Sequence, residues 1–321
     1  MEKIQKQEWK NETIITEFVL LGFGDLKEFQ SLLFVVFLII YIMTMTGNLL
    51  IILLVVTDQN LHTPMYFFLG NLSFLEICYS STIIPQMLSI FLMEKQHVSV
   101  HGCILQLGTF GLFITTECCL LAVMSYDRYL AICRPLHYSV IMNLRVCLQL
   151  VFGSFFSSLV IDVTLICFIL QLTFCGHNII EHFYCEFTSV VELACNNGAQ
   201  VILLAVGLTS VCTLPPLLSI IASYSYIIRS VLRIPTRSGR KKTFATCSSH
   251  LIVVAIFYGT LTIVYILPDT NELREIDKVF SIFYTILTPL VNPLIYSLRN
   301  KEVKEALRRT IYKCADFIKV L

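Results

Sequence analysis

The sequence predicts an all-α membrane protein, a bundle of seven transmembrane helices followed by a short amphipathic C-terminal helix. Three observations lead there. Of the 321 residues, 56% are hydrophobic and only 14% charged, with a mean hydropathy of +0.77; a soluble domain with so little charge has too few polar residues for its surface. Apolar runs long enough to cross a bilayer, which takes about 20 residues each, recur along the chain. Lysines and arginines gather in alternate connections between those runs.

The elements follow in order. Residues 1–28 carry Lys3, Lys6, Lys10 and several glutamates without the apolar core of a cleaved leader, so the first run directs insertion. Within them Asn11-Glu12-Thr13 is a glycosylation acceptor, which suits a tail on the extracellular side. Apolar runs cover 29–56, 61–88, 99–133, 145–170, 199–232, 238–267 and 274–298. Several are longer than a bilayer requires, which implies tilt or extension beyond it. In the tail, Val303, Leu307, Ile311, Cys314 and Ile318 recur at helical spacing against Lys301, Lys304, Arg308 and Arg309, the pattern of a helix lying on lipid. The chain is expected to be one domain over 1–321: an extracellular tail at 1–28, the bundle at 29–298 and a cytoplasmic tail with the surface helix at 299–321.

With the N-terminus outside, the inner face collects Arg128, Arg134, Arg145, Arg229, Arg233, Arg237, Arg240, Lys241, Lys242 and the tail from Arg299 to Lys319, sixteen of 23 basic residues. The net charge of +1 gives no reason to expect a nucleic-acid partner. Thirteen cysteines show no metal-type pairing in sequence. Cys103, Cys175, Cys185 and Cys195 fall on the oxidising outer side, where four cysteines permit three connectivities. The connection from about 171 to 198 holds three of them; bridged to Cys103 it would be a lid over the bundle mouth.

Ionisable groups inside spans are costly and point to function. Glu76 lies mid-span, and Glu117 lies ten residues before Asp127, about 15 Å deeper at 1.5 Å per residue. The two carboxyls could share a proton or, with hydroxyls such as Ser73 and Ser80, hold a cation; each could equally be a neutral, hydrogen-bonded group. Asp162 in the fourth run is either a structural carboxyl or a partner for an amine. Asp127 and Arg128 close the third run at its inner end, where the carboxylate can neutralise the guanidinium until another group competes for it. Pro293 in the seventh run and Pro215-Pro216 in the fifth mark helices that can deform.

These residues carry a resemblance. Gly47-Asn48, Asp127-Arg128-Tyr129 and NPLIY at 292–296 resemble the rhodopsin-like G-protein-coupled receptors. More narrowly, LHTPMYFFL (61–69), MSYDRYLAICRPLHY (124–138), SY (223–224), KTFATCSSH (242–250), FYG (257–259) and PLVNPLIYSLRNKEVK (289–304) resemble the tetrapod-type olfactory receptors over nearly the whole chain.

The resemblance implies an odorant receptor of the plasma membrane that activates an olfactory-type stimulatory G protein and raises cyclic AMP. It pairs Cys103 with Cys185 and Cys175 with Cys195, so that a metal site in His182-Phe183-Tyr184-Cys185-Glu186 would lose its thiolate. It assigns activation and coupling to Asp127, Arg128, Tyr129, Tyr224, Asn292, Pro293 and Tyr296. It places the ligand among Phe110, Gly111, Ile114, Thr115, Leu208, Thr209, Cys212, Tyr258, Leu261, Thr262 and Tyr265, a mostly apolar set without lysine or arginine that suits small neutral volatile molecules. No cofactor is implied beyond a candidate sodium ion at Glu76 and Glu117. Two positions depart from the family pattern: Glu76 stands where an aspartate is usual, and KTFATC replaces KAFSTC.

Two other readings compete. A transporter using Glu76 and Glu117 as a proton relay calls for internal repeats, which the sequence lacks. A neurotransmitter or peptide receptor shares the general motifs but not the narrower set. An enzyme is excluded by the lack of a nucleophile, base and oxyanion constellation.

Overall fold

A computed structural model describes residues 15–23, 29–93, 96–266 and 274–320; the side chains of 241–246, 263–266, 274–277, 297–299 and 313–320 lie outside the described set. Helices dominate because lipid offers backbone groups no partner, so each span must satisfy its own. The long helices are Gln30–Thr57, Pro64–Met93, Val100–Cys133, Leu144–Ile169, Gly198–Leu232 and Arg237–Ile266. A seventh runs as a helix over Arg274–Ile282, a π-helical stretch over Phe283–Leu287 and a helix over Thr288–Arg299, and the tail helix is Lys301–Val320. Six of the spans are long and apolar enough to cross a membrane by themselves; within the sixth, the described apolar stretch is Cys247–Thr262.

The predicted runs match these helices closely, and the second shows why the ends differ. Asp58 caps a short 3-10 turn at Gln59–Leu61, accepting from the Asn60 amide, so Leu61 belongs to the turn and the helix opens on Pro64. Proline is at home there because the first helical N–H has no partner anyway.

The chain divides into two compact units, Met1–Phe37 with Thr82–Leu112 and Leu159–Ser210, and Leu38–Ser81 with Phe113–Ser158 and Val211–Leu321. In the first, a small sheet joins three distant segments in the order β2 (Gln96–Ser99), β1 (Glu17–Leu20), β3 (Ile179–Ile180). β1 pairs antiparallel with β2, Glu17 opposite Ser99, and parallel with β3, Val19 opposite Ile179. Its alternation is that of a half-buried strand: Phe18 and Leu20 are fully buried. Beyond it Gly22 takes a φ of 63°, and a Cβ there would come within 2.7 Å of Ile90. Phe23 then stacks on Phe37, Phe91 and Phe183 at centroid distances of 6.3, 5.6 and 5.3 Å.

In the second unit, Asn48 of the first span donates to the carbonyls of Thr44 and Pro289, each at 3.1 Å. Gly47 beside it leaves room for Pro293, whose ring would lie 3.2 Å from an added Cβ. Tyr79 donates to the Tyr284 carbonyl at 2.5 Å, where the π turn has altered the seventh span's facing. The tail helix is tied by side chains: Tyr66 donates to Glu302 at 2.5 Å and Asn300 at 3.0 Å, and Arg309 reaches Asp58 at 2.8 Å.

Candidate ligand site and signalling clusters

The loop that the sequence marks as a lid is fastened in the first unit. Cys103 is joined to Cys185 across 82 residues of sequence and Cys175 to Cys195 across 20. Gln106, one helical turn below Cys103, holds the same place without covalency: its carbonyl accepts from the Cys185 amide at 3.0 Å and its amide donates to the Thr82 carbonyl at 2.9 Å and to Gln86. Glu186 accepts from the amides of Thr188 and Ser189 at 2.9 and 2.7 Å, capping the short helix Phe187–Glu192. Cys185 is thus in a disulfide and Glu186 is a helix cap. His182 is buried against the rings of Phe183 and Tyr184 at 4.5 and 4.6 Å. No group of three potential metal ligands among the described residues is arranged around a common point.

Of the expected ligand-lining residues, the first unit holds Phe110, Gly111, Leu208 and Thr209. Phe110 meets Tyr184 of the loop at 5.5 Å, so this part of the third span touches the lid. The second unit holds Ile114, Thr115, Cys212, Tyr258, Leu261 and Thr262. There Cys212, Tyr258 and Leu261 are buried, whereas Thr262 is exposed. Tyr258 donates to the Cys118 carbonyl at 3.3 Å and Thr262 to Tyr258's own carbonyl at 2.6 Å. The side chain of Tyr265 lies outside the described residues, as does Asn11.

The inner charge pair is an assembled group. Arg128 donates through Nε to Asp127 Oδ2 at 2.9 Å and pairs with the same carboxylate through Nη2. Asp127 is fully buried, and its other oxygen accepts from Tyr138 at 2.8 Å. Tyr138 lies on the helix Pro135–Ile141 between the third and fourth spans. Burial and the neighbouring carboxylate raise the pKa of its hydroxyl, which keeps it a donor. Sequence reasoning missed this third member, although the PLHY segment carrying it was among the matched motifs. It also missed His250, whose Nδ1 lies 2.6 Å from the Tyr224 hydroxyl with the rings stacked. Tyr129 packs between Tyr126 and Tyr226 at 6.2 and 5.7 Å.

Deeper in that unit, Glu76 and Glu117 are both buried, and Asn292 donates to Glu76 Oε1. Glu76 Oε2, Glu117 Oε1, Ser80 Oγ and the Tyr296 hydroxyl have no hydrogen-bond partner among the described residues. Glu76 and Ser80 share a face at four-residue spacing, so the unmatched groups are hard oxygen ligands of the kind a sodium ion accepts. Pro293 is buried and enclosed within a continuous helix, Thr288–Arg299.

A spanning bundle with a loop disulfide to the head of the third helix, a buried Asp-Arg pair at that helix's other end and a proline-bearing seventh span defines a rhodopsin-like receptor. The squid rhodopsin crystal structure superposes with a TM-score of 0.71 at 20% identity, covering 90% of this chain and 87% of that one. The olfactory receptor family profile matches residues 37–314. Human olfactory receptor 11A1 is 49% identical over 94% of this chain and 95% of its own length, and mouse olfactory receptor 5G9 is 46% identical over 97% and 99%. The chain belongs to the olfactory receptor family. It is a multi-pass membrane protein and a signalling receptor, not an enzyme, of a family that takes odorant ligands and couples to G proteins.

Proposed function

We propose that this receptor binds small neutral volatile molecules in the outer half of the bundle and activates a stimulatory G protein of the olfactory type, raising cyclic AMP at the plasma membrane. The N-terminal tail, with Asn11 glycosylated, faces outward. The Asp127–Arg128–Tyr138 group carries the reading of mechanism: a guanidinium held by one buried carboxylate, itself held by one phenol, is a latch that a competing partner can open. In the active arrangement Arg128 leaves Asp127 and faces the G protein, with Tyr224 and Tyr296 rearranging around it. A ligand that favours that arrangement by about 2 to 3 kcal/mol shifts its population by more than tenfold.

The neutral ligand class rests on composition. The expected lining carries no lysine or arginine, and Lys278, buried in the seventh span, is already engaged in an interaction of its own. Glu76, Ser80 and Glu117 would hold a sodium ion, which would supply a positive charge between the carboxylates and favour the resting arrangement. The test is cyclic AMP in cells expressing the receptor with the olfactory-type G protein, across neutral odorants and carboxylic acids. A neutral agonist whose response is lost in Arg128→Ala is the expected result; a response to acids alone would overturn the ligand class.

A further inference from the structure

Asp162 is a carboxyl inside the fourth span with a seat and, among the described residues, no partner. The seat is a notch in the third span: a Cβ added to Gly111 would stand 2.8 Å from Asp162 Oδ1, and one added to Gly108 would stand 3.5 Å from Oδ2. Two glycines thus let the carboxyl lie directly against the helix that carries Phe110 and Gly111. No described residue donates to it or forms an ion pair with it. Two hydroxyls close to it in sequence or beside the notch bond elsewhere: Thr109 donates to the Leu105 carbonyl and Thr164 to the Val160 carbonyl, each at 2.7 Å. A half-buried polar group without a partner is costly, so a ligand that supplies one binds with that cost removed.

The chemistry of the missing partner follows from a carboxyl group's two states. Ionised, it only accepts; protonated, it both accepts and donates. An aldehyde, ketone or ester can only accept, and so fits the protonated state alone; an ammonium fits the ionised state alone. A hydroxyl donates and accepts through one atom and pairs with either. In the expected lining, Tyr258 and Thr262 already give their hydrogens to backbone carbonyls.

We propose that Asp162, seated in the Gly108–Gly111 notch, is a specificity-determining residue that selects aliphatic alcohols over ligands of the same length without a hydroxyl. The proposal rests on the odorant-binding reading above. It deepens that reading by naming the functional group.

The experiment is a cyclic AMP dose-response in cells with surface-stained receptor, using primary alkanols from butan-1-ol to decan-1-ol, the alkanals and methyl ethers of equal heavy-atom count, and the matching alkylamines. The expected result is an EC50 about tenfold lower for the best alkanol than for its ether, the size of one hydrogen bond to a buried acceptor. Asp162→Ala should bring alkanol and ether together with the ether unchanged, while Asp162→Asn, which still accepts and donates, should keep part of the preference. If the alanine variant does not reach the surface, Gly111→Ala, whose added Cβ crowds the carboxyl, should narrow the ratio between the ether and alkanol EC50 values. Equal potency of alkanol and ether in the unmodified receptor, or a preference that survives Asp162→Ala, overturns the proposal. An answer to the alkylamines alone overturns it together with the neutral ligand class. Basal cyclic AMP separates the remaining cases. A basal signal that Arg128→Ala lowers, with silence across the panel, overturns the role of Asp162 alone. No signal in any arm, basal included, overturns the coupling to a stimulatory G protein and with it the alcohol reading.

Discussion

The loop apparatus of the first unit and the polar clusters of the second are held by different kinds of bond. Around Cys185 the fastening is covalent and main-chain: two disulfides, a three-stranded sheet and a run of backbone bonds such as Val19 to Asn178 at 2.8 Å and Leu21 to Ile180 at 3.1 Å. Around Arg128 and Tyr224 it is side chain to side chain, two phenols, one carboxylate, one guanidinium and one imidazole, each able to trade its partner for another. Main-chain and disulfide fastening keeps one geometry, whereas exchangeable side-chain pairs permit two of similar energy. A receptor needs both properties, a fixed mouth for recognition and a bistable end for signalling.

The largest effect should come from breaking the fixed region. Cys185→Ser should abolish surface delivery, measured by surface immunostaining, while Cys175→Ser should only reduce it, because the shorter closed loop restrains the unfolded chain less, by about 1 kcal/mol. Cys167→Ser, at an exposed free thiol, is the neutral control. Equal loss in the two disulfide variants would show that strand pairing, and not chain restraint, depends on each bridge.

Next in size are the switch residues. Tyr258→Ala should abolish the agonist response with surface staining intact, since its hydroxyl bond to Cys118 and its ring against Phe257 are both lost. Tyr138→Phe should do the opposite and raise basal cyclic AMP about fivefold, the equivalent of one hydrogen bond of about 1 kcal/mol removed from the resting latch. A silent Tyr138→Phe would mean that the phenol only decorates the pair.

How much of this could be read from the chain differs between the two regions. The seven spans were legible because a bilayer demands a length of apolar sequence that nothing else explains, and Asp127-Arg128 stood out as charge where charge is costly. The cap of Glu186, the hub of Gln106 and the pairing of Glu17–Leu20 with two other segments left no trace, since polar residues near loops are ordinary and sheet pairing over long separations depends on the finished fold. Tyr138 and His250 were hidden for a related reason: each acts through a single partner far away in sequence or one turn off the expected face. The acidic pair was visible as an anomaly, but its unmatched oxygens appear only with coordinates.

The smallest effect should be found at the tail helix. The bond from Arg309 holds the Asp58 carboxyl below its ordinary pKa, so this contact contributes fully above the unfolded-state value and is lost as pH falls through the lower folded-state one. Asp58→Asn should therefore quicken amide exchange in residues 301–312 at neutral pH, with wild type and variant converging only in strong acid. Convergence already near pH 6 would refute the assignment to this carboxylate.

The π stretch at Phe283–Leu287 has its own consequence. Tyr284, Thr285 and Ile286 are buried in succession within a turn of the seventh span that holds one residue more than an α-helical turn does. Such a surplus behaves like a dislocation in a crystal: it can be moved but not removed without changing the angle of everything beyond it. Were the turn to tighten, Asn292 and Tyr296 would swing around the helix axis together, and the register of the whole lower segment would advance by a discrete step.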